Sequence, residues 1–293
     1  MPTMLVPLDG TAPAEQALPF ARWLAEPLCA RVVLLHVFTD PEHEYAVAGE
    51  QHPRWLARRR VIEAYLAGLA EPLRAAGLQV DLQVELGLPA ETIARVAGGV
   101  QADLVVLTSS GYGRLRRWVA GSVSEQLLRA LKLPFLLVRA GMRPPSAAPA
   151  QMLALVDGSV SARYVLAHAL ALAHSAQAQL VVLQTVADSI EQYLGGGSTL
   201  ATQRAALQQH VLRAYAGHFG GEQARAAAIV GAVGVGEPHA ALLEEAERRH
   251  AELLVLVNSR QCPGRQRGLP TLDRVLRAAE APLLLVPPQA AQS

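Results

Sequence analysis

The chain repeats itself. Met4-Leu5-Val6-Pro7-Leu8-Asp9-Gly10-Thr11 returns as Met152-Leu153-Ala154-Leu155-Val156-Asp157-Gly158-Ser159, 148 positions on. Leu34-Leu35-His36-Val37 returns as Val182-Leu183-Gln184-Thr185 at the same shift. Gly87-Leu88-Pro89 matches Gly236-Glu237-Pro238, and Ala102–Leu107 matches Ala251–Leu256, both at 149. Pro134–Val138 and Pro282–Val286 return to 148. Blocks that keep one order with a one-residue slip mean two copies of one domain. A length of 293 residues suits that number. The expected domains are 1–140 and 151–293, joined by a Pro- and Ala-rich linker at 141–150.

Each copy alternates two patterns. Short apolar runs of strand length (Met4–Leu8, Val32–Phe38, Val80–Leu86, Leu104–Thr108, Phe135–Val138) bracket longer segments with helical spacing. In the first such segment Ala17, Leu18, Ala21, Leu24, Ala25 and Leu28 fall on one stripe; in the second, Val61, Tyr65, Leu66 and Leu69 do. Gly98-Gly99 is the expected stop of the third helix. Strands that are apolar almost throughout, separated by helices, require a parallel sheet covered on both faces. Each copy is therefore expected to be an α/β domain, a doubly wound five-stranded parallel sheet. Ligands of such sheets sit at the carboxyl ends of the strands, where the winding direction switches.

Composition excludes several functions. With 51% hydrophobic and 17% charged residues, each half can bury a core. A net charge of +1 offers nothing to a nucleic acid. Cys29 and Cys262 form neither a zinc pattern nor a disulfide framework. The N-terminus lacks a signal-peptide pattern and no apolar run approaches the ~18 residues of a membrane span, so a cytoplasmic location without a membrane partner is expected. Lys132, the sole lysine, is expected in a helix, and no P-loop is present. Gly231, Gly234 and Gly236 do not make a dinucleotide fingerprint, and no nucleophile stands with a base. His43 and His52 share an acidic loop with Glu42, Glu44 and Glu50, but their spacing matches no ligand pattern, so no metal site is expected. His168 and His174 read as packing or surface residues, and Arg54 with Arg58-Arg59-Arg60 as a solvated stripe.

Two loops of the first copy remain as candidates. Asp9-Gly10 ends the first strand, where a carboxylate either accepts hydrogen bonds from a ribose or an adenine amine, or simply makes the strand-to-helix turn and caps the helix. Thr108-Ser109-Ser110-Gly111-Tyr112-Gly113-Arg114 runs from the fourth strand toward Gly121-Ser122-Val123-Ser124. Glycines let backbone N–H groups approach a phosphate, and a helix starting at Gly121-Ser122 adds free donors, a dipole end and the hydroxyls of Ser122 and Ser124. The second copy has Leu269-Pro270 in that place, which supplies neither hydroxyl nor proline N–H while still starting a helix.

With Val-Asp-Gly-Ser ending the first strand, Leu-Leu-His-Val in the second, Gly-x-Pro before the third helix and Gly followed ten residues later by Gly-Ser, the sequence resembles the universal stress protein family along both halves. The ATP-binding branch of that family carries G-x2-G-x9-G-[S/T]. Gly111, Gly121 and Ser122 match its last three fixed positions, while Thr108 stands at the first glycine. The resemblance implies two tandem sheets of the adenine nucleotide alpha hydrolase-like type. It also implies a stress-response sensor or adaptor with an ATP site, with or without Mg, in the first copy and none in the second. The site would comprise Asp9, Gly10, Val37 (through its backbone), Thr108, Gly111, Gly121, Ser122, Val123 and Ser124. At most slow ATP hydrolysis is implied. The other reading is a nucleotide-free scaffold of the same family. Partners would be unidentified proteins, and family domains pair through their last strand, so an internal pseudo-dimer through Phe135–Val138 and Leu283–Val286, and a homodimer of chains, are expected.

Overall fold

A computed structural model describes residues 1–39, 53–109, 123–144, 147–157, 159–186, 209, 228–261 and 268–288. The chain divides into two compact units, Met1–Ser146 and Ala147–Ser293. Unit 1 runs β1 (Thr3–Leu8), α1 (Ala12–Glu15), α2 (Ala17–Leu28), β2 (Arg31–Phe38), α3 (Pro53–Ala75), β3 (Val80–Leu86), α4 (Pro89–Gly99), β4 (Leu104–Ser109), α5 (Val123–Ala130) and β5 (Phe135–Arg139). Unit 2 contains β6 (Gln151–Val156), α6 (Val160–Ala176), β7 (Gln179–Val186), β8 (Ile229–Val235), α7 (Pro238–Arg249), β9 (Leu253–Val257), α8 (Gly268–Ala278) and β10 (Leu283–Val286). The strand order is β3-β2-β1-β4-β5 in the first and β8-β7-β6-β9-β10 in the second, and within each unit neighbouring strands pair in parallel. The doubly wound α/β sheets expected from the alternation are present in both units.

Burial explains why the strands are apolar at successive positions. Met4, Leu5 and Val6 of β1 and Val105 and Val106 of β4 are all buried, because helices cover both faces. Each such side chain contributes roughly 1.5–3 kcal/mol when fully buried. The α2 stripe is as expected, widened by Phe20 and Trp23, which meet edge to face. On α3 the expected stripe is displaced by one residue. Ile62, Leu66, Ala70 and Leu73 line the core with Trp55, whereas Val61 is 64% exposed. Ile62 and Val61 are equally apolar neighbours, and the sheet decides which one turns inward. Lys132 lies beyond the end of α5, not within a helix.

The Gly-x-Pro element has a backbone cause in both copies. Gly87 and Gly236 have positive φ (151° and 89°), and Pro89 and Pro238 open the following helices. A Cβ on Gly87 would stand 2.5 Å from the Thr92 hydroxyl, so side chain and conformation are both excluded. Helix ends differ from expectation. Gly98 and Gly99 complete the last turn of α4, and the left-handed residue that stops it is Gln101 (φ 51°). Three other helices also end on left-handed non-glycine residues, at Cys29, Gln177 and His250. Cys29 and Gln177 are repeat equivalents, as are Gln101 and His250, so the two copies share these conformations although their residues differ.

A left-handed L-residue carries a steric cost that glycine avoids. Gln101→Gly and His250→Gly are each expected to stabilise the protein by about 0.5–1 kcal/mol, less than the ~1–2 kcal/mol steric term because glycine loses more chain entropy. Thermal and urea unfolding of the full chain check this, and a lowered melting temperature in either variant would show that the native side chain makes a compensating contact.

Candidate functional site

The sheet of unit 1 changes winding direction between β1 and β4. From β1 the chain passes to β2 and β3 on one side, then crosses to β4 and β5 on the other. β1 pairs with β2 over six residues, Thr3↔Arg31 to Leu8↔His36, but with β4 over only Met4↔Leu104 and Leu5↔Val105. Beyond Leu5 the two strands continue without ladder pairing to Leu8 and Ser109. The crevice in which doubly wound sheets take ligands is expected at their carboxyl ends.

Asp9 and Gly10 form its first rim. Asp9 Oδ1 accepts the Thr11 N–H (3.0 Å) and the Thr11 hydroxyl (2.6 Å), Thr11 Oγ1 accepts the Ala14 N–H (3.4 Å) as the cap of α1, and Gly10 has φ 81°. One carboxylate oxygen thus makes the turn, while Oδ2 takes no hydrogen bond from a described residue and Asp9 is exposed. Val37 lies at a second rim. β1 ends opposite His36, whereas β2 runs on to Phe38, and the Arg31 N–H donates to Pro2 on the β1 side. The period of two along a strand turns the backbone of Val37 to that same side, past the last paired residue of β1.

Thr108 belongs to β4, opposite Val138, and its hydroxyl donates to the Ala14 carbonyl (3.5 Å), tying the end of β4 to α1. Val123 and Ser124 open the described part of α5, whose first turn also holds the buried Glu125, paired with Arg129 at 2.8 Å. Gly111, Gly121 and Ser122 lie outside the described residues, as do His43 and His52. The structure therefore brings Asp9, Gly10, Val37 and Thr108 to one end of the sheet, with Val123 and Ser124 on the helix leading to β5.

Sequence reasoning missed a polar cluster on the α3 side of this end. His36 lies beneath the turn, its Cε1 3.8 Å from where a Gly10 Cβ would be, with Nδ1 buried and without a hydrogen-bond partner. Its ring meets Tyr65 of α3 edge to face at 6.5 Å, and the Tyr65 hydroxyl donates to Glu15 of α1 (2.8 Å). Arg58 lies over Phe38 at 5.6 Å, and Phe38 packs on the fully buried Trp55. Burial lowers the pKa of His36; the Asp9 carboxylate and a backbone hydrogen bond at Leu8 oppose the shift, and the Arg58 charge adds to it. Burial and the Glu15 contact raise the Tyr65 phenol above its ordinary value. A signal for this cluster did exist in the repeat, since Glu15 and His36 become Arg163 and Gln184 in the second copy.

Unit 2 closes the corresponding end differently. Asp157 Oδ1 accepts the Ser159 N–H at 3.0 Å, so the turn is retained. Past β9, the Asn258 N–H donates to Val286 (2.6 Å), and a short 3-10 turn, Ser259–Gln261, follows. The nearly buried Arg260 of that turn pairs with Asp273 of α8. Pro270 falls in the first turn of α8, where its missing N–H costs no helix bond. Among the described residues no group of three metal-ligating side chains exists, and no helix is long and apolar enough to cross a membrane.

The His36 shift fixes a sign. With its folded pKa below the unfolded value of 6.5, the unfolded chain binds more protons between the two, so stability falls as pH drops from 6.5 toward the folded value and levels off below it. Parent and His36→Gln are expected to diverge in that window, the parent losing more stability. Urea unfolding between pH 7.5 and 5 checks this, and parallel curves would remove the buried imidazole as a source of acid sensitivity.

Comparison with known proteins adds the family. The profile of the Universal stress protein family matches residues 1–139 and again 150–287. A universal stress protein of Thermus aquaticus, encoded 3′ to a sulfhydrylase gene, is 31% identical over 138 residues, which is 47% of this chain and 98% of that protein. A universal stress protein from Archaeoglobus fulgidus has the same fold along 99% of this chain and 97% of its own, with TM-score 0.71 at 17% identity. A functionally unknown protein from Pseudomonas aeruginosa matches at TM-score 0.67 and 18% identity, covering 98% and 92%. Two successive family matches, on two units with one strand order, make this chain a tandem member of the universal stress protein family.

Proposed function

We propose that unit 1 binds an adenine nucleotide, ATP with Mg accompanying its phosphates, and acts as a sensor or adaptor without robust turnover, while unit 2 is a structural copy that binds none. The observation that carries this reading is the parting of β1 and β4 after Leu5↔Val105. The crevice so formed has a free carboxylate oxygen on Asp9 for ribose hydroxyls, a glycine at Gly10 that admits close approach, and the Val37 backbone as a hydrogen-bonding edge for a base. Gly111 and the Gly121-Ser122 helix start are the proposed phosphate donors, with Val123 and Ser124 following them. The internal Arg260–Asp273 pair supports an empty second copy.

Thr108 favours the alternative, a nucleotide-free scaffold, because its hydroxyl fastens β4 to α1 where the motif of the ATP-binding branch has glycine. Bulk and hydroxyl are separable. Thr108→Val, which copies Val257 of the second unit, removes the bond and keeps the size, whereas Thr108→Gly removes both.

Calorimetric titration of the full chain with ATP and Mg is expected to give one site. The double change Gly121→Leu with Ser122→Pro copies unit 2 into unit 1 and removes donors worth roughly 2–4 kcal/mol if charge-assisted. Affinity should fall about 30- to 1000-fold with the melting temperature unchanged. Two equivalent sites, or full affinity in the double variant, would contradict the assignment. Binding that appears only in Thr108→Gly would favour the scaffold.

A further inference from the structure

The cluster at the α3 side of the crevice has a consequence for the proposed nucleotide site. We propose that His36 makes the unit 1 crevice acid-sensitive: a proton on its imidazole draws the Asp9 carboxylate away from the ligand and lowers affinity for the nucleotide. This inference rests on the nucleotide reading above and concerns the regulation of that same site.

Geometry places His36 for this task. It is the last β2 residue paired with β1, opposite Leu8, one residue before the Asp9-Gly10 rim. Gly10 lies against the ring edge, so a change at the imidazole is felt first at that turn. Among the described residues, the elements around His36 contribute these groups. The β1 turn contributes the Asp9 carboxylate, α3 the Arg58 guanidinium and the Tyr65 phenol, and α1 the Glu15 carboxylate that accepts from Tyr65. On β3 its register partner is Val84, which carries no charge.

At neutral pH the imidazole is uncharged and leaves Asp9 Oδ2 open. When protonated it carries a donor on both ring nitrogens, Nδ1 having no hydrogen-bond partner among the described residues, and a positive charge that Arg58 repels and Asp9 attracts. Glu15 cannot serve as the counter-charge equally well, because the Tyr65 hydroxyl already donates to it. The carboxylate free to respond is Asp9, the residue assigned to the ribose. Ligand and proton therefore compete for one group, and linkage makes that competition reciprocal. In unit 2 an amide, Gln184, stands where His36 does and Arg163 where Glu15 does, so the device belongs to the copy with the proposed site.

The test measures ATP affinity by calorimetry from pH 7.5 to 5.5 in the full chain and in His36→Gln, a residue the second copy tolerates at this place. Protonation of the ATP phosphates is common to both proteins and cancels in their affinity ratio. Equal affinity is expected at pH 7.5. On acidification the parent should lose about three- to tenfold more than the variant, the equivalent of roughly half to one unit in an imidazole pKa. An unchanged ratio across the range overturns the inference and leaves the nucleotide reading standing. No ATP binding by the parent at pH 7.5 overturns the nucleotide reading and the inference with it. Should His36→Gln fold poorly, NMR titration of the parent imidazole, compared with Asp9→Asn, decides instead. A lower midpoint in Asp9→Asn supports the coupling, and an unmoved midpoint overturns it.

Discussion

Everything in the molecule depends on burying a parallel sheet on both faces. Parallel strands cannot be joined by tight turns, so each return needs a covering helix. Right-handed crossovers then place successive helices on one face while the chain winds in one direction, and on the other face after it reverses. The reversal between β1 and β4 follows from that requirement, and with it two strands that pair at Met4 and Leu5 and then part. The switch point is thus a by-product of how the core is covered. Loop chemistry, with Asp9 spending one oxygen on the turn and keeping the other, turns it into a candidate site.

The two copies share some residues and differ in others in a way that follows their place in the fold. Residues that shape the backbone persist. Asp9 and Asp157 make the same turn, Gly87 and Gly236 the same positive-φ bend, and the helix stops fall at equivalent residues even where cysteine faces glutamine. Residues at the strand ends diverge. His36 and Glu15 become Gln184 and Arg163, Thr108 becomes Val257, and past β9 an arginine and an aspartate close on each other. Among the described residues there, the Arg260 cation is paired with Asp273. Loss of binding chemistry need not cost fold stability, because the buried strands and the crossover helices are untouched by it.

Sequence periodicity located the strands to within a residue at each end, because an apolar run buried on both faces has no register ambiguity to resolve. It located helices well but faced one of them wrongly. On α3, Val61 and Ile62 offer a stripe equally well, and only contact with β2 and β3 selects Ile62. One helix stop was also misread. Gly98-Gly99 reads as the stop of the third helix, whereas the left-handed residue that follows it is Gln101, and Cys29, Gln177 and His250 take that conformation at three other helix ends. The repeat marks Glu15 and His36 as divergent, but that they join Arg58 and Tyr65 in one cluster was not legible, because the four are dispersed along the chain and meet only in the fold.

The sequence by itself determined the tandem repeat, the fold class, the family and the Asp-Gly and Gly-x-Pro turns, since each depends on local order, periodicity or a short-range conformational rule. Tertiary structure decided where the β1–β4 ladder ends, that Thr108 is bonded to α1, and that an imidazole whose Nδ1 has no partner among the described residues sits beneath Gly10 between a carboxylate and a guanidinium. These are properties of residues far apart in the chain. Their energies depend on distance and burial, which no local pattern encodes.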